Sequence, residues 1–363
     1  MYKYFKIKSW FRRLTSTWKY KAFVSFLLCD YKEYKRNCKQ VWNSDGVETL
    51  NIPPKNYSFI EKVIGRAPFG RLCNIADDEF CWYGHASSLL RFAGISNYPI
   101  RKTTAEHGVI LGKDFAIENF DRYKTKLVLT YGQSREKFLR SHYGINAESI
   151  GPYIHYAKVP IADDQFSKLR KLLGRTVVHF PFFADVISSN TNLIAHSHDD
   201  HFLCAQTLLN WKKLGMVDSI LICNRWSNEY QSHKSLFLYK KIGAIMIGCG
   251  SILNPFFLDH LKLIIELSTI TTSNAVSTPL GYSIYLGKPH YIIGSGLQGP
   301  DLMLQQDSIS KYLFKELYAG SEKIQFKLPY EDLYQLISEI YGFSSIKKSS
   351  ELRKLILSAE KML

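Results

Sequence analysis

Three stretches of the chain carry residue types that can do chemistry. The first is His196-Ser197-His198-Asp199-Asp200-His201, three imidazoles and two carboxylates within six residues. Imidazole nitrogen and carboxylate oxygen are zinc ligands, and an H-x-H-x-D-H spacing can present them to two metal ions. The second is Glu106-His107-Gly108, a carboxylate beside an imidazole, either of which can take the proton of an attacking hydroxyl. The third runs from Ser273 and Asn274 through Ser277 and Thr278 to Pro279, small polar residues in front of an apolar helical stretch. A helix start presents unpaired amides and a partial positive charge, so it can hold phosphate, and the hydroxyls of Ser277 and Thr278 add donors. Plain N-capping by one Ser or Thr is the competing reading; it accounts for one of these residues and not for four.

The elements that must position these groups follow an α/β pattern. Ser87–Gly94 reads as a helix closed by glycine, and Phe59–Gly65 as a short helix. Lys126–Tyr131 is a short apolar run, hence a buried strand; Arg135–Tyr143 is an amphipathic helix ended by Gly144; Ser149–His155 returns as strand and turn. The polar stretch from Pro160 to Arg175 is expected to be a connection between domains. After it the pattern restarts: strands over Thr176–Phe180, Ser219–Cys223, Ala244–Gly248, Thr269–Thr272 and His290–Gly294 alternate with helices over Phe202–Leu214, Ser235–Ile242, Phe257–Leu267 and Pro279–Leu286. Helices over Glu331–Tyr341 and Ser350–Met362 close the chain. Alternation of this kind predicts parallel sheets, whose ligands bind at the carboxyl ends of the strands. The expected fold is α/β, two Rossmann-like domains facing across a cleft. The expected divisions are 1–50, a basic aromatic segment; 51–165, a Rossmann-like acceptor domain; 166–330, a Rossmann-like donor domain; and 331–363, C-terminal helices.

The segment from Leu261 to Ile293, with its strand, Ser-rich turn, helix, Gly287-Lys288-Pro289 and returning strand, resembles the donor-binding region of GT-B glycosyltransferases. It is most similar to bacterial enzymes of lipopolysaccharide and capsule synthesis: the sialyltransferase-like, Kdo-transferase-like and teichoic-acid-polymerase-like families. Glu106-His107-Gly108 and Ile150-Gly151-Pro152 extend the resemblance, which spans roughly residues 60 to 340. The resemblance implies a metal-independent, inverting transferase that moves a sugar from a nucleotide-sugar donor to a lipid-linked or polysaccharide acceptor. No cofactor is implied, since the nucleotide sugar is a substrate. Glu106 or His107 would be the catalytic base. Ser273, Asn274, Ser277 and Thr278 would bind donor, joined by Asn224 and Arg225 after one strand and Gly250 and Ser251 after the next. Arg225 can neutralise phosphate through its planar fork.

Charge points the same way. The formal net charge is +15, and the stretch 1–42 supplies nine of those charges, eleven Lys and Arg against two acids, interleaved with aromatics. Basic residues mixed with Trp, Tyr and Phe suit contact with an anionic membrane surface. A cytoplasmic protein held peripherally on the inner face of the plasma membrane is expected, and no nucleic-acid partner. The seven scattered cysteines form no C-x-x-C pair and read as reduced thiols.

The alternative is a metallo-β-lactamase-like zinc hydrolase built on His196, His198, Asp200 and His201. Such an enzyme needs further ligands at strand ends of a β-sandwich, and the α/β pattern does not provide that setting. The cluster is instead expected to be a solvated polar loop in which Asp199 or Asp200 caps the following helix.

Overall fold

The chain divides into two compact units, Met1–Thr49 and Leu50–Leu363. The structure, a computed structural model, describes residue 80 and residues 82–95, 100–109, 125–182, 198–223, 234–249, 254–294, 308–319 and 328–362. The basic segment 1–50 and the helix expected at Phe59–Gly65 lie outside the described residues.

Two parallel sheets organise the second unit. In the first, β1 (Thr103–Ala105), β2 (Leu127–Thr130) and β3 (Ala147–Ser149) pair in that order, all parallel. Helix α1 (His85–Phe92) precedes them, and α2 (Gln133–Tyr143) crosses from β2 to β3 and stops at Gly144, whose φ of 62° is the left-handed turn glycine takes without strain. The second sheet contains β4 (Thr176–Phe180), β5 (Ser219–Cys223), β6 (Ile245–Ile247), β7 (Ile270–Ser273) and β8 (His290–Ile292). Its spatial order is β6-β5-β4-β7-β8, every pair parallel. Chain order therefore runs outward in one direction from β4 and then reverses to β7. This is the doubly wound arrangement of a Rossmann-like domain, with its switch point between β4 and β7.

The crossovers are α3 (Asp163–Leu173) before β4, α4 (His198–Lys213), α5 (Lys234–Lys241), α6 (Phe257–Leu267) and α7 (Thr278–Tyr285). Helices α8 (Ser308–Leu317), α9 (Glu331–Tyr341) and α10 (Ser349–Lys361) follow. Several elements differ from expectation: α8 was not expected, and β3 ends at Ser149, where a strand was expected to begin. The polar stretch after Pro160 is not an irregular connection: α3 forms because Leu169 and Leu173, one helical turn apart, are buried while its charges face outward. The three-residue β1 is too short to carry a pattern, and only its pairing to β2 makes it a strand.

The central strands β4, β5 and β7 are buried along their whole length, and the Thr, Ser and His side chains that β4 and β7 bring inside are hydrogen-bonded to one another or to neighbouring backbone and hydroxyl groups. Val177 of β4 packs with Ile220, Ile222, Leu208 and Trp211 on one side, and Val178 with Leu221, Leu258 and Ile264 on the other. The latter cluster continues into the first sheet through Tyr153 to Leu127 and Leu129. One apolar core thus ties the two sheets together.

The C-terminal helices lock the arrangement. The Tyr341 ring of α9 lies against Gly281 of α7, so close that a Cβ at 281 would stand 2.0 Å from a ring carbon, and its hydroxyl donates to Ser277 O at 2.8 Å. Next to it, Gly342 presses against Tyr131 O at the end of β2. Gly281→Ala is expected to destabilise the protein by about 1–3 kcal/mol through overpacking. Adding Tyr341→Ala should make the combined loss smaller than the sum of the two single losses, measured by denaturant unfolding.

Candidate active site

The carboxyl ends of β4 and β7 meet at the switch point, and Asn274 bridges them. Its Oδ1 accepts from Phe182 N (2.6 Å), and its Nδ2 donates to Asp200 Oδ2 (2.7 Å) and Phe182 O (3.3 Å). Ser273 is equally committed: its Oγ donates to Ala275 O at 2.6 Å and lies 2.9 Å from His290 Nε2. Both residues are buried. Two of the four expected donor-binding residues therefore shape the turn from inside.

Ser277 and Thr278 are half-buried at the start of α7. Ser277 stands at the N-cap position, yet its side chain makes no capping hydrogen bond, so simple capping is not its use here. Thr278 is the first helical residue and Pro279 the second, one place later than expected. Pro279 has no N–H, and Leu280 N turns back to Ser277 O at 3.0 Å. The amides of Val276, Ser277 and Thr278, by contrast, make no backbone hydrogen bond among the described residues. Successive free N–H groups at a helix start form an anion-binding concavity.

The end of β1 reaches this turn. Val109 N donates to Thr278 Oγ1 at 3.2 Å, and a Cβ on Gly108 would lie 3.3 Å from the same oxygen. Glu106-His107-Gly108 is thus brought against the small-residue turn although about 170 residues separate them in sequence.

The two candidate bases differ in setting. Glu106 is buried, with Oε1 accepting from Arg135 Nε (3.0 Å) and Nη2 (2.8 Å) and Oε2 accepting from Thr130 Oγ1. A carboxylate held by a buried guanidinium is a structural ion pair with little access to an acceptor hydroxyl. His107 is exposed. Its ring lies beside Trp82 (5.4 Å between centroids) and Tyr83 (6.4 Å, stacked). Tyr83 has a φ of 55°, the single left-handed non-glycine among the described residues. The backbone of 254–257 packs directly on Gly84 beside it. Trp82 and Tyr83 carried no sequence signal, because the short run Phe80-Cys81-Trp82-Tyr83 shows neither a helical nor a strand period.

Asn224, Arg225, Gly250 and Ser251 follow Cys223 of β5 and Cys249 directly in sequence and lie outside the described residues, as does His196.

From His198 onward the histidine cluster is helical and not a loop, and the sheet beside it is parallel and not part of a β-sandwich. His198, Asp199, Asp200 and His201 form the first turn of α4, so Asp199 and Asp200 sit inside the helix and do not precede it. Asp200 and His201 are buried. Asp200 holds Asn274, and Gly294 has no side chain where a Cβ would stand 2.5 Å from Asp200 Oδ1. His201 Nδ1 shares the Tyr239 hydroxyl (2.9 Å) with His179 Nε2 (3.1 Å). The sheet around them is parallel, and among the described residues no three His, Cys, Asp or Glu side chains are grouped to hold a metal ion.

No protein-family model matches the chain, and no curated protein matches it. Among solved structures it is similar to a UGT transferase from Siraitia grosvenorii in complex with UDP, at 10% identity and a TM-score of 0.31, over 83% of this chain and 75% of that one. Among the described residues no helix is long and apolar enough to cross a membrane.

Two outcomes follow from these contacts. Glu106→Gln leaves the Arg135 charge without its partner in the interior and is expected to cost about 3–5 kcal/mol of folding stability. His107→Asn, at an exposed position, should leave the melting temperature within a degree or two. Burial holds His85, His179 and His290 down to about pKa 3, with the charge of His107 adding to the effect at His85 and that of His201 at His179. Each is neutral when folded and protonates near 6.5 when unfolded. The unfolded chain therefore binds more protons below pH 6.5, and stability falls as pH drops from 6.5 toward 3 while remaining full above 6.5. Urea unfolding between pH 7.5 and 5 should show a loss approaching about 1.4 kcal/mol per pH unit for each of the three; a flat profile would contradict their neutral burial.

Proposed function

We propose that this chain is a glycosyltransferase that moves a sugar from a nucleotide-sugar donor to a lipid-linked or polysaccharide acceptor in bacterial surface glycan synthesis. The observation that carries the reading is the meeting of Gly108 and Val109 with Thr278, next in sequence to the exposed His107 and at a turn whose amides make no backbone hydrogen bond among the described residues. In this reading His107 takes the proton of the acceptor hydroxyl while its oxygen attacks the anomeric carbon from the face opposite the leaving group. The bond from that carbon to the diphosphate oxygen breaks, and its electron pair leaves with the diphosphate. The amides of Val276, Ser277 and Thr278 and the two hydroxyls meet the charge as it develops. Asn224, Arg225, Gly250 and Ser251 complete the donor site in this reading, and Ser273 and Asn274 hold the turn in shape. The transfer inverts the anomeric centre and needs no bound metal, because fixed dipoles and basic side chains take its place. The basic, aromatic segment 1–50 then keeps the enzyme at an anionic inner membrane face, where a lipid-linked acceptor resides.

The test is a thermal-shift series with UDP, CDP, CMP and GDP sugars. One nucleotide class should raise the melting temperature by mass action. Thr278→Ile together with Ser277→Val should remove that shift without lowering the melting temperature of the free protein by more than a few degrees. His107→Asn should keep the shift and lose transfer by about 10²–10⁴-fold. Absence of a shift with every nucleotide sugar would sink the reading.

A further inference from the structure

A second concavity opens on the first sheet, away from the turn before α7. It has a volume of about 730 Å³, within the range of small-molecule sites, and lies between the carboxyl-terminal part of β3, α2 and the α9–α10 junction. Its charges are unevenly committed. Glu136 accepts from Ser149 N (2.9 Å) and Oγ (2.7 Å), Glu148 is paired with Lys347 (2.7 Å), and Glu351 accepts from Lys348 N (2.8 Å). Lys137 and Lys354 line the same concavity, and no carboxylate among the described residues pairs with either. The hydroxyl of Ser345 is buried in its wall with no hydrogen-bond partner, although the residue is only 6% exposed.

Each acid here thus has a hydrogen-bond partner, neither Lys137 nor Lys354 makes an ion pair among the described residues, and the buried Ser345 hydroxyl has no hydrogen-bond partner. A buried hydroxyl without a partner costs stability, about 1–3 kcal/mol, unless something visits it. An anion suits such a lining: the two lysines attract it, and the Ser345 hydroxyl, which lies just behind the wall, has no internal acceptor to compete for its proton. Gln133, Ser344 and Ser358 add polar groups around the rim, as a polyhydroxylated ligand requires.

We propose that this concavity binds an acidic saccharide, its carboxylate or phosphate held by Lys137, Lys354 and the Ser345 hydroxyl. The saccharide class rests on the transferase reading; the anion requirement rests on the cavity alone. The site would hold an acidic unit of the acceptor glycan at a distance from the sugar being extended.

The experiment uses the full chain and three probes: a hexuronate trisaccharide, a neutral trisaccharide of equal length, and inorganic phosphate. Calorimetric titration is run on the native protein, on Lys137→Glu/Lys354→Glu, and on Ser345→Ala, with the nucleotide-sugar thermal shift read on the same samples. Uronate or phosphate should bind, the neutral sugar should not, and whichever anion binds more tightly names the anionic group. Charge reversal should weaken binding by at least about tenfold at low salt, because exposed lysines act through charge. Ser345→Ala should weaken anion binding severalfold while leaving the free protein as stable or more so, which a merely structural hydroxyl would not do. No binding by either anion, or equal binding of the neutral sugar, overturns the proposal. A retained nucleotide-sugar shift in that case leaves the transferase reading standing, and loss of the shift with anion binding intact separates the two in the other direction.

Discussion

The reversal of strand order between β4 and β7 is the constraint on which the molecule turns. A parallel sheet wound outward from its centre in both directions must leave two neighbouring strands whose following loops part company, and backbone groups at that point have no regular partner. Here Asn274 supplies the missing pairing. One amide side chain satisfies the N–H and the C=O of Phe182 across the gap and takes the carboxylate of Asp200 as a third partner. The turn before α7 is therefore tied to the end of β4 by two hydrogen bonds and to α4 by a third, all from one residue, and it can be held in shape without spending its own amides.

The same site shows how polar interiors are made tolerable. His290 lies 2.9 Å from both Thr271 Oγ1 and Ser273 Oγ, and His179 and His201 share one tyrosine hydroxyl. The His290 and His179 rings act as neutral spacers with a donor and an acceptor at fixed separation, which nearby hydroxyls can reach, because burial holds both imidazoles well below their ordinary pKa.

Much of the fold was legible because its signals are local. Thr176–Phe180, Ser219–Cys223, Phe257–Leu267 and Glu331–Tyr341 are bounded as expected, since the two strands are short, mostly apolar runs, the first helix carries a long apolar face, and Gly342 closes the second. What sequence could not give is anything decided by a distant partner. Glu106 and His107 look alike as proton acceptors until Arg135 and Thr130 are seen to claim the first. Ser273, Asn274, Ser277 and Thr278 look alike as phosphate ligands until His290 and Asp200 claim the first two. The run from His196 to His201 had the spacing of a metal site, but its fate was set by Asn274 and Tyr239, 38 to 74 residues away.

The contact of Tyr341 with Gly281 reaches beyond stability. The aromatic ring occupies the volume that any side chain at 281 would need, and its hydroxyl is bonded to the carbonyl that opens α7. Neither position can drift alone over evolutionary time. Descendants of this sequence that acquire a methyl or larger group at the glycine must shed the ring at the other end, and in doing so give up a carbonyl anchor. The two columns should change together in any family tree built around this chain, although they stand 60 positions apart.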